Sequence, residues 1–216
     1  MLGCNHGNIS RIVANQLTRY KPRIIAIDNC VEALRKGIVK EETIIHREKI
    51  SYQYGDARKI GFHPQYQNIA DLVTLNFLPS NVPKRDQTIL FKSAVNILKA
   101  KGKLVFVDPD PNTIYDAINK DMTTPQSDSK DTFREICDQF RNPLQNVQAI
   151  NENSIIKIYL LRKDGNIIIE NDYRPIELYL QTIHSVGLKI DFMQRLKLAK
   201  NKSENENYFC CLCSKK

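Results

Sequence analysis

The chain has 216 residues, 42% hydrophobic and 26% charged, which suits one soluble domain around a single core. No apolar run approaches the roughly 18 residues that span a bilayer, and no basic segment followed by a hydrophobic one opens the chain as an export signal would; a cytoplasmic location is expected. The formal net charge of +8 leaves nucleic acid open as a partner, but the lysines are scattered and tryptophan is absent, so the excess reads as a solvated lysine-rich surface.

In chain order, Ile9, Ile12, Val13, Leu17 and Tyr20 fall at helical spacing, closed by Pro22. Arg23–Asp28 is apolar without alternation, the pattern of a parallel strand buried on both faces. Val31, Leu34 and Ile38 continue as a helix, and Ile50–Tyr54 is a second strand ending at Gly55-Asp56. Asp71–Asn76 is a third strand, followed by a loop with Pro79 and Pro83. Ile89, Leu90, Ala94, Ile97 and Leu98 form a helix face stopped by Lys101-Gly102, and Lys103–Asp108 is a fourth strand. Strands alternating with helices in this way make βαβ units, hence a parallel sheet with helices on both faces.

The second half changes character. Residues 112–153 are polar, with two short helices expected around a loop at Thr123–Ser129. Ser154–Leu161 and Asn166–Asp172 flank Lys163-Asp164-Gly165, a hairpin signal. Ile176, Leu180, Ile183 and His184 share a helical face ended by Gly187. Leu188–Leu196 and Asn207–Ser214 are expected to pair antiparallel across a polar loop. The Cys210-Cys211-Leu212-Cys213 run lacks paired metal-ligand spacing and reads as small residues of a buried strand, so no metal is expected. The fold expected is α/β: a single domain, 1–216, with a Rossmann-like, mostly parallel sheet flanked by helices, a terminal antiparallel strand pair, and 111–173 as an inserted cap and hairpin.

The residues with chemistry cluster at strand ends. Gly3 and Gly7 bracket a tight turn leading straight into a helix, where a ligand can approach the backbone and meet free N–H groups. Asp28 ends the next strand at about the 20-residue spacing from which a carboxylate grips a ribose diol, and Asp56 follows the strand after that. Each aspartate alone reads equally as a helix cap; the ordered set favours a cofactor site.

These segments together resemble the class I S-adenosylmethionine-dependent methyltransferases, of the kind that act on small molecules. Leu-Gly-Cys-Asn-His-Gly at 2–7 is similar to the family's first glycine-rich motif, and Ile-Asp-Asn-Cys-Val-Glu-Ala-Leu at 27–34 to its strand-end acidic motif. Tyr-Gly-Asp-Ala at 54–57 resembles the segment that touches adenine, and 71–76 and 98–109 match the next two strands in order and spacing. Residues 173–188 look like the late helix and glycine of the small-molecule enzymes. The resemblance implies S-adenosylmethionine as cofactor, with Gly3, Asn5 and Gly7 at its methionine part, Asp28 and the adjoining Asn29 at the ribose, Asp56 and Ala57 at the adenine, and Asn76 as a floor near the sulfonium. It implies in-line methyl transfer in which positioning of the acceptor does most of the work.

No catalytic residue is assigned. Tyr115, Tyr173 and Arg174 are candidate acceptor contacts, with His63 and His184 behind them; His184, on the apolar helix face, reads as a core histidine. The alternatives are a macromolecule methyltransferase, acting on RNA or protein, and a non-catalytic cofactor-binding or interaction module. A nicotinamide dehydrogenase shares the glycine loop and acidic strand end, but the later motifs favour the methyltransferase. The match breaks at the front: Met1 stands where the family has an acidic residue, Asn5 replaces a glycine, and the strand preceding the loop has no residues to form it. That first strand is therefore expected to be missing or truncated, with an upstream segment the preferred explanation over a decayed copy or a substitute segment.

Overall fold

The computed structural model describes residues 1–41, 50–110, 146–152, 155–161, 167–173, 175–197 and 207–216. The elements run α1 (Asn8–Gln16), β1 (Ile24–Asp28), α2 (Val31–Glu41), β2 (Ile50–Tyr54), β3 (Ala70–Asn76), α3 (Lys84–Ile97) and β4 (Leu98–Pro109). They continue as β5 (Asn146–Glu152), β6 (Ile155–Leu161), β7 (Ile167–Tyr173), α4 (Ile176–Ser185), β8 (Leu188–Lys197) and β9 (Asn207–Lys215). Short 3-10 turns punctuate the loops at Thr18–Tyr20, Ile60–Phe62, Pro64–Tyr66 and Pro79–Asn81.

β1 pairs in parallel with β2, and β3 in parallel with β4. The terminal pair β8 and β9 is antiparallel, and β9 docks antiparallel on β4, with Phe106 opposite Cys211. Between β1 and β3 lies the slot for which the sequence offered no strand. Met1 and Leu2 occupy it: Leu2 bridges Ile27 and Leu75 in parallel. The Ile27 amide donates to Met1 O at 2.9 Å, the Leu2 amide to Thr74 O at 3.0 Å, and the Cys4 amide to Ile27 O at 3.0 Å. The first strand is thus cut to bridge length, and the gap expected from the sequence is closed because the inner edges of β1 and β3 each find main-chain partners there. The sheet reads β2–β1–(Met1, Leu2)–β3–β4–β9–β8.

The core is built around Phe106 on β4, whose ring meets Phe91 of α3, Tyr179 of α4 and Phe209 of β9 at centroid distances of 5.5, 6.4 and 5.5 Å. Cys211 and Cys213 are fully buried beside them, and burial pushes both thiols up to about 12, so they serve as packing groups on the inner face of β9.

Three helical stripes differ from expectation. In α1 the buried residues are Ser10, Arg11 and Ala14, while Ile9, Ile12 and Tyr20 are exposed. Polar groups go inside because the start of the helix must satisfy the glycine loop: Arg11 Nη1 donates to His6 O at 2.8 Å and to the Tyr52 hydroxyl at 3.1 Å. In α3, Ile89 is exposed and Phe91 buried, and the helix stops at Ile97, with Leu98 opening β4; a register shift opposite Ala70 and Leu72 absorbs Lys101-Gly102. In α4 the buried stripe is Ile176, Tyr179 and Ile183, and His184 is exposed, because the Tyr179 hydroxyl has a buried acceptor that turns this face inward.

The expected hairpin is present as β6 and β7, and a third strand, β5, pairs antiparallel with β6. β5 falls in the stretch read as polar loop; its Val147, Ala149 and Asn151 alternate too weakly with their neighbours to signal a strand. The loop at 123–129 and its flanking helices lie outside the described residues. No helix among the described residues is long and apolar enough to cross a membrane.

The slot residue gives a direct check. Leu2 is 3% exposed, so Leu2→Ala should lower unfolding free energy by about 3 kcal/mol in urea denaturation; a loss below about 0.5 kcal/mol, the level of a surface substitution, would place the side chain outside the core.

Candidate functional site

In a parallel sheet, ligands bind outside the carboxyl ends of the strands, at the point where successive strands go to opposite sides. Here that point is the Met1–Leu2 slot: the chain passes from it to β1 on one side and later to β3 on the other. The loop Gly3–Gly7 rises from that slot.

The loop alternates hands. Gly3, Asn5 and Gly7 have φ of +67°, +50° and +76°, left-handed values that glycine and asparagine adopt most readily. A Cβ on Gly7 would lie 2.2 Å from the Tyr52 hydroxyl, and one on Gly3 would lie 3.0 Å from the Leu78 side chain. Both glycines are thus demanded by the protein's own packing as well as by backbone geometry. Gly7 is also the N-cap of α1 and gives no side-chain cap, so no cap side chain takes up the first amides of the helix, where the positive end of the helix dipole lies.

Asp28 ties this loop to the next helix. Its Oδ2 accepts from the Asn5 amide at 2.6 Å and its Oδ1 from the Cys30 amide at 2.9 Å. A carboxylate can accept about four hydrogen bonds, so each oxygen keeps one acceptor position beyond these two. Two such positions side by side on a half-exposed carboxylate match a pair of vicinal hydroxyls. Asn29 beside it is exposed.

Asp56, at the end of β2, is placed differently. Its oxygens receive the Arg58 amide at 2.9 Å, Nε at 3.0 and 3.2 Å, and Nη2 at 2.7 Å. The Arg58 side chain, ahead of burial, holds this carboxyl below the usual range. Sequence reading brought Asp56 to the site but missed Arg58, although the i, i+2 spacing of opposite charges at a strand end was visible. Ala57 lies between them, half-buried.

On the other side of the loop, Asn76 ends β3 and is half-buried. Phe77 follows with φ +55° and 42% of its surface exposed; its amide donates to Val107 O at 2.7 Å, and its ring meets Tyr208 edge-on at 5.4 Å. Beneath them Asp108 is fully buried, accepting from the Ser80 hydroxyl at 2.8 Å and the Tyr179 hydroxyl at 3.0 Å. Asp110, 2% exposed, takes Arg195 Nε at 2.8 Å. The buried pair Asp108 and Asp110 therefore ties β4 and its exit to the loop after β3, to α4 and to β8. None of these partners was foreseen, because each is distant in sequence.

The loop's other reactive groups are quiet. Burial, then the Asp28 charge, pushes the Cys4 thiol up to about 12. Burial, then Lys40, Arg11 and Lys36, lowers the His6 pKa. His63, between two 3-10 turns, is exposed and away from the loop in sequence. Tyr173 ends β7; Tyr115 and Arg174 lie outside the described residues. Among the described residues, no group of His, Cys, Asp and Glu is arranged to hold a metal ion.

No protein-family model matches the sequence, and no curated protein does. Solved structures do. A SAM-dependent methyltransferase from Methanosarcina mazei aligns at TM-score 0.70 and 15% identity, over 99% of this chain and 90% of that one. An S-adenosylmethionine-dependent methyltransferase structure from Listeria monocytogenes aligns at TM-score 0.64 and 16% identity, over 100% and 89%. LepI, solved in complex with SAM, aligns at TM-score 0.58 and 13% identity, over 100% of this chain and 42% of that one. The chain has the fold of the S-adenosylmethionine-dependent methyltransferases, Rossmann-like with a terminal antiparallel pair.

Two outcomes check this geometry. Gly7→Ala should cost about 2 kcal/mol through overpacking and a strained φ, and combination with Tyr52→Leu should be less than additive by about 1 kcal/mol; full additivity would deny the Gly7–Tyr52 contact. Because the folded pKa of Asp56 lies below its ordinary value near 3.8, its ionised form stabilises the fold above that value, and this contribution is lost as pH falls through the folded pKa. The stability gap between wild type and Asp56→Asn should therefore be widest above about pH 5 and close toward about pH 3; a gap constant across that range would show that ionisation of Asp56 contributes nothing.

Proposed function

We propose that the chain is a methyltransferase that binds S-adenosylmethionine across the carboxyl edge of β2, β1 and the Gly3–Gly7 loop and transfers its methyl group to a small molecule held over Asn76 and Phe77. The observation that carries the reading is Asp28, a half-exposed carboxylate clamped by the Asn5 and Cys30 amides with one acceptor position left on each oxygen. A ribose diol needs that arrangement, and it stands at the switch point of a sheet whose structural neighbours are S-adenosylmethionine-dependent enzymes.

The residues present fit this group. Gly3, Asn5 and Gly7 let the loop turn closely enough for the methionine part to approach the backbone. Asp28, with Asn29 beside it, receives the ribose. The Gly55–Ala57 turn lies beyond β2 for the adenine, and Asn76 forms the floor on the β3 side. S-adenosylmethionine supplies a methyl carbon made electrophilic by its sulfonium. The chain's own task is to hold the acceptor in line with that carbon and to keep water away.

Phe77 and Tyr208 suit the second task, with an exposed phenyl ring set edge-on against a half-buried tyrosine beyond the end of β3. The small-molecule class is supported by that apolar rim and by the complex of LepI with SAH and a substrate analogue. The sheet of β5, β6 and β7, inserted in sequence between β4 and α4, is read as part of a cap at 111–173 over the acceptor, and Tyr115, Tyr173 and Arg174 remain its candidate contacts. Cys4 fits the same scheme. A thiolate in this loop would compete as a methyl acceptor, and burial keeps the sulfur protonated. The described cysteines are all free, which supports a reducing, cytoplasmic setting.

The test is calorimetric titration with S-adenosylhomocysteine, the product of the proposed transfer. Binding in the micromolar range, about −7 to −8 kcal/mol, is expected, and Asp28→Asn should weaken it about tenfold or more, the cost of a hydrogen bond to a charged group. Absence of binding to the folded wild-type protein at about 1 mM ligand, equivalent to less than about 4 kcal/mol, would end the cofactor reading.

A further inference from the structure

The turn after β2 carries an arginine for which the proposed cofactor site has no use. Arg58 sits two residues beyond Asp56 and spans two elements. Its amide, Nε and Nη2 make four contacts of 2.7–3.2 Å with Asp56, two on each oxygen. Its Nη1 donates to Asp86 Oδ2 at 2.6 Å. Asp86 stands in the first turn of α3, its own amide donating to Pro83 O. The guanidinium therefore bridges the turn after β2 to the start of α3.

A second tie runs parallel to it. The Gly61 amide donates to Ser93 Oγ at 2.9 Å, and a Cβ on Gly61 would lie only 1.9 Å from Ser93 O. The segment 56–61 is pinned to α3 at both ends, and its position is set before any ligand arrives. The charges reinforce one another: the Asp56 carboxylate, followed by a smaller contribution from Asp86, raises the Arg58 pKa against the effect of burial.

A carboxylate has about four acceptor positions, and three N–H donors of Arg58, one of them shared between the two oxygens, occupy most of those on Asp56. An amine seeking Asp56 would have to displace an arm of a charge-assisted fork, and a neutral amine makes the weaker bond of the two. The main chain offers another contact. The amides of Arg58, Lys59 and Ile60 all turn back onto Asp56, and among the described hydrogen bonds that of Ala57 does not.

Resting on the S-adenosylmethionine reading above, we propose that Arg58 is a positioning residue of the nucleoside end: it holds Asp56 as the structural anion of the turn, so that the base is met by the Ala57 main chain and its exocyclic amine is read little, if at all, by the Asp56 carboxylate. The resemblance that assigned Asp56 to the adenine is thereby sharpened. The turn is where the base goes, and the carboxylate shapes the turn.

The experiment compares calorimetric affinities for S-adenosylhomocysteine and for its 6-deamino purine analogue, which lacks only the amine. In the wild-type protein the two should differ by less than about threefold, well short of a hydrogen bond to a free carboxylate. In Arg58→Met, whose side chain keeps the apolar stem but releases Asp56, preference for the amine-bearing ligand should rise to about tenfold or more. A role confined to stability would weaken both ligands together and leave their ratio unchanged. Arg58→Lys, with one ammonium in place of a fork, should fall between the two and serves if Arg58→Met does not fold by circular dichroism. An unchanged ratio in the folded variant overturns the proposal, as does a wild-type preference of tenfold that Asp56→Asn abolishes. A wild-type protein that binds neither ligand removes the cofactor reading and this proposal with it; one that binds both while Arg58→Met keeps the wild-type ratio removes this proposal alone.

Discussion

Main-chain hydrogen bonds of Met1 and Leu2 join the two halves of the sheet. On one side lie β1 and β2, on the other β3, β4, β9 and β8, and among the described residues no other segment reaches both β1 and β3 from within the sheet. Everything at the proposed site hangs from this seam. It launches the Gly3–Gly7 loop, brings Asp28 and Asn76 to the same edge, and places Leu2 in the apolar core. A two-residue bridge suffices because β1 and β3 each need only a few partners on their inner edges, and the Cys4 amide supplies one more to Ile27.

Four aspartates stand at or within two residues of the carboxyl ends of parallel strands, and their surroundings give them different work. Asp28 is held by two main-chain amides and keeps acceptor capacity. Asp56 is filled by an arginine two residues away. Asp108 is sealed beneath the loop after β3, where two hydroxyls hold it, and Asp110 closes against Arg195. The first can take a ligand, while the others position the segments around it. Residue type and strand-end position are the same in all four; the donors that surround each carboxylate make the difference.

The helices show the same division. The apolar residues of α1 follow a helical period, yet Ile9 and Ile12 face solvent and Arg11 lies beneath the loop. A period identifies the element, whereas the groups awaiting satisfaction below it choose the face. In α4 the offset from Leu180 to Tyr179 has a similar cause, since the Tyr179 hydroxyl finds Asp108. A buried polar contact of this kind outweighs the small difference in hydrophobicity between neighbouring faces.

Apart from β5, the order of the described strands and helices, the left-handed glycine turn, the strand-end carboxylates and the terminal antiparallel pair were legible in the sequence, because each rests on a local rule of periodicity, turn geometry or spacing. The residues proposed for the cofactor, from Gly3 to Asn76, come from that reading. Tertiary structure decided what filled the slot between β1 and β3, which faces of α1 and α4 turned inward, and which aspartates kept acceptor positions. Those outcomes depend on partners 23 to 71 residues away, such as Asp28 for Asn5, Asp86 for Arg58 and Asp108 for Tyr179. Hydrogen bonds and ion pairs act through space at about 3 Å, and one-dimensional spacing carries no trace of them until the chain has folded.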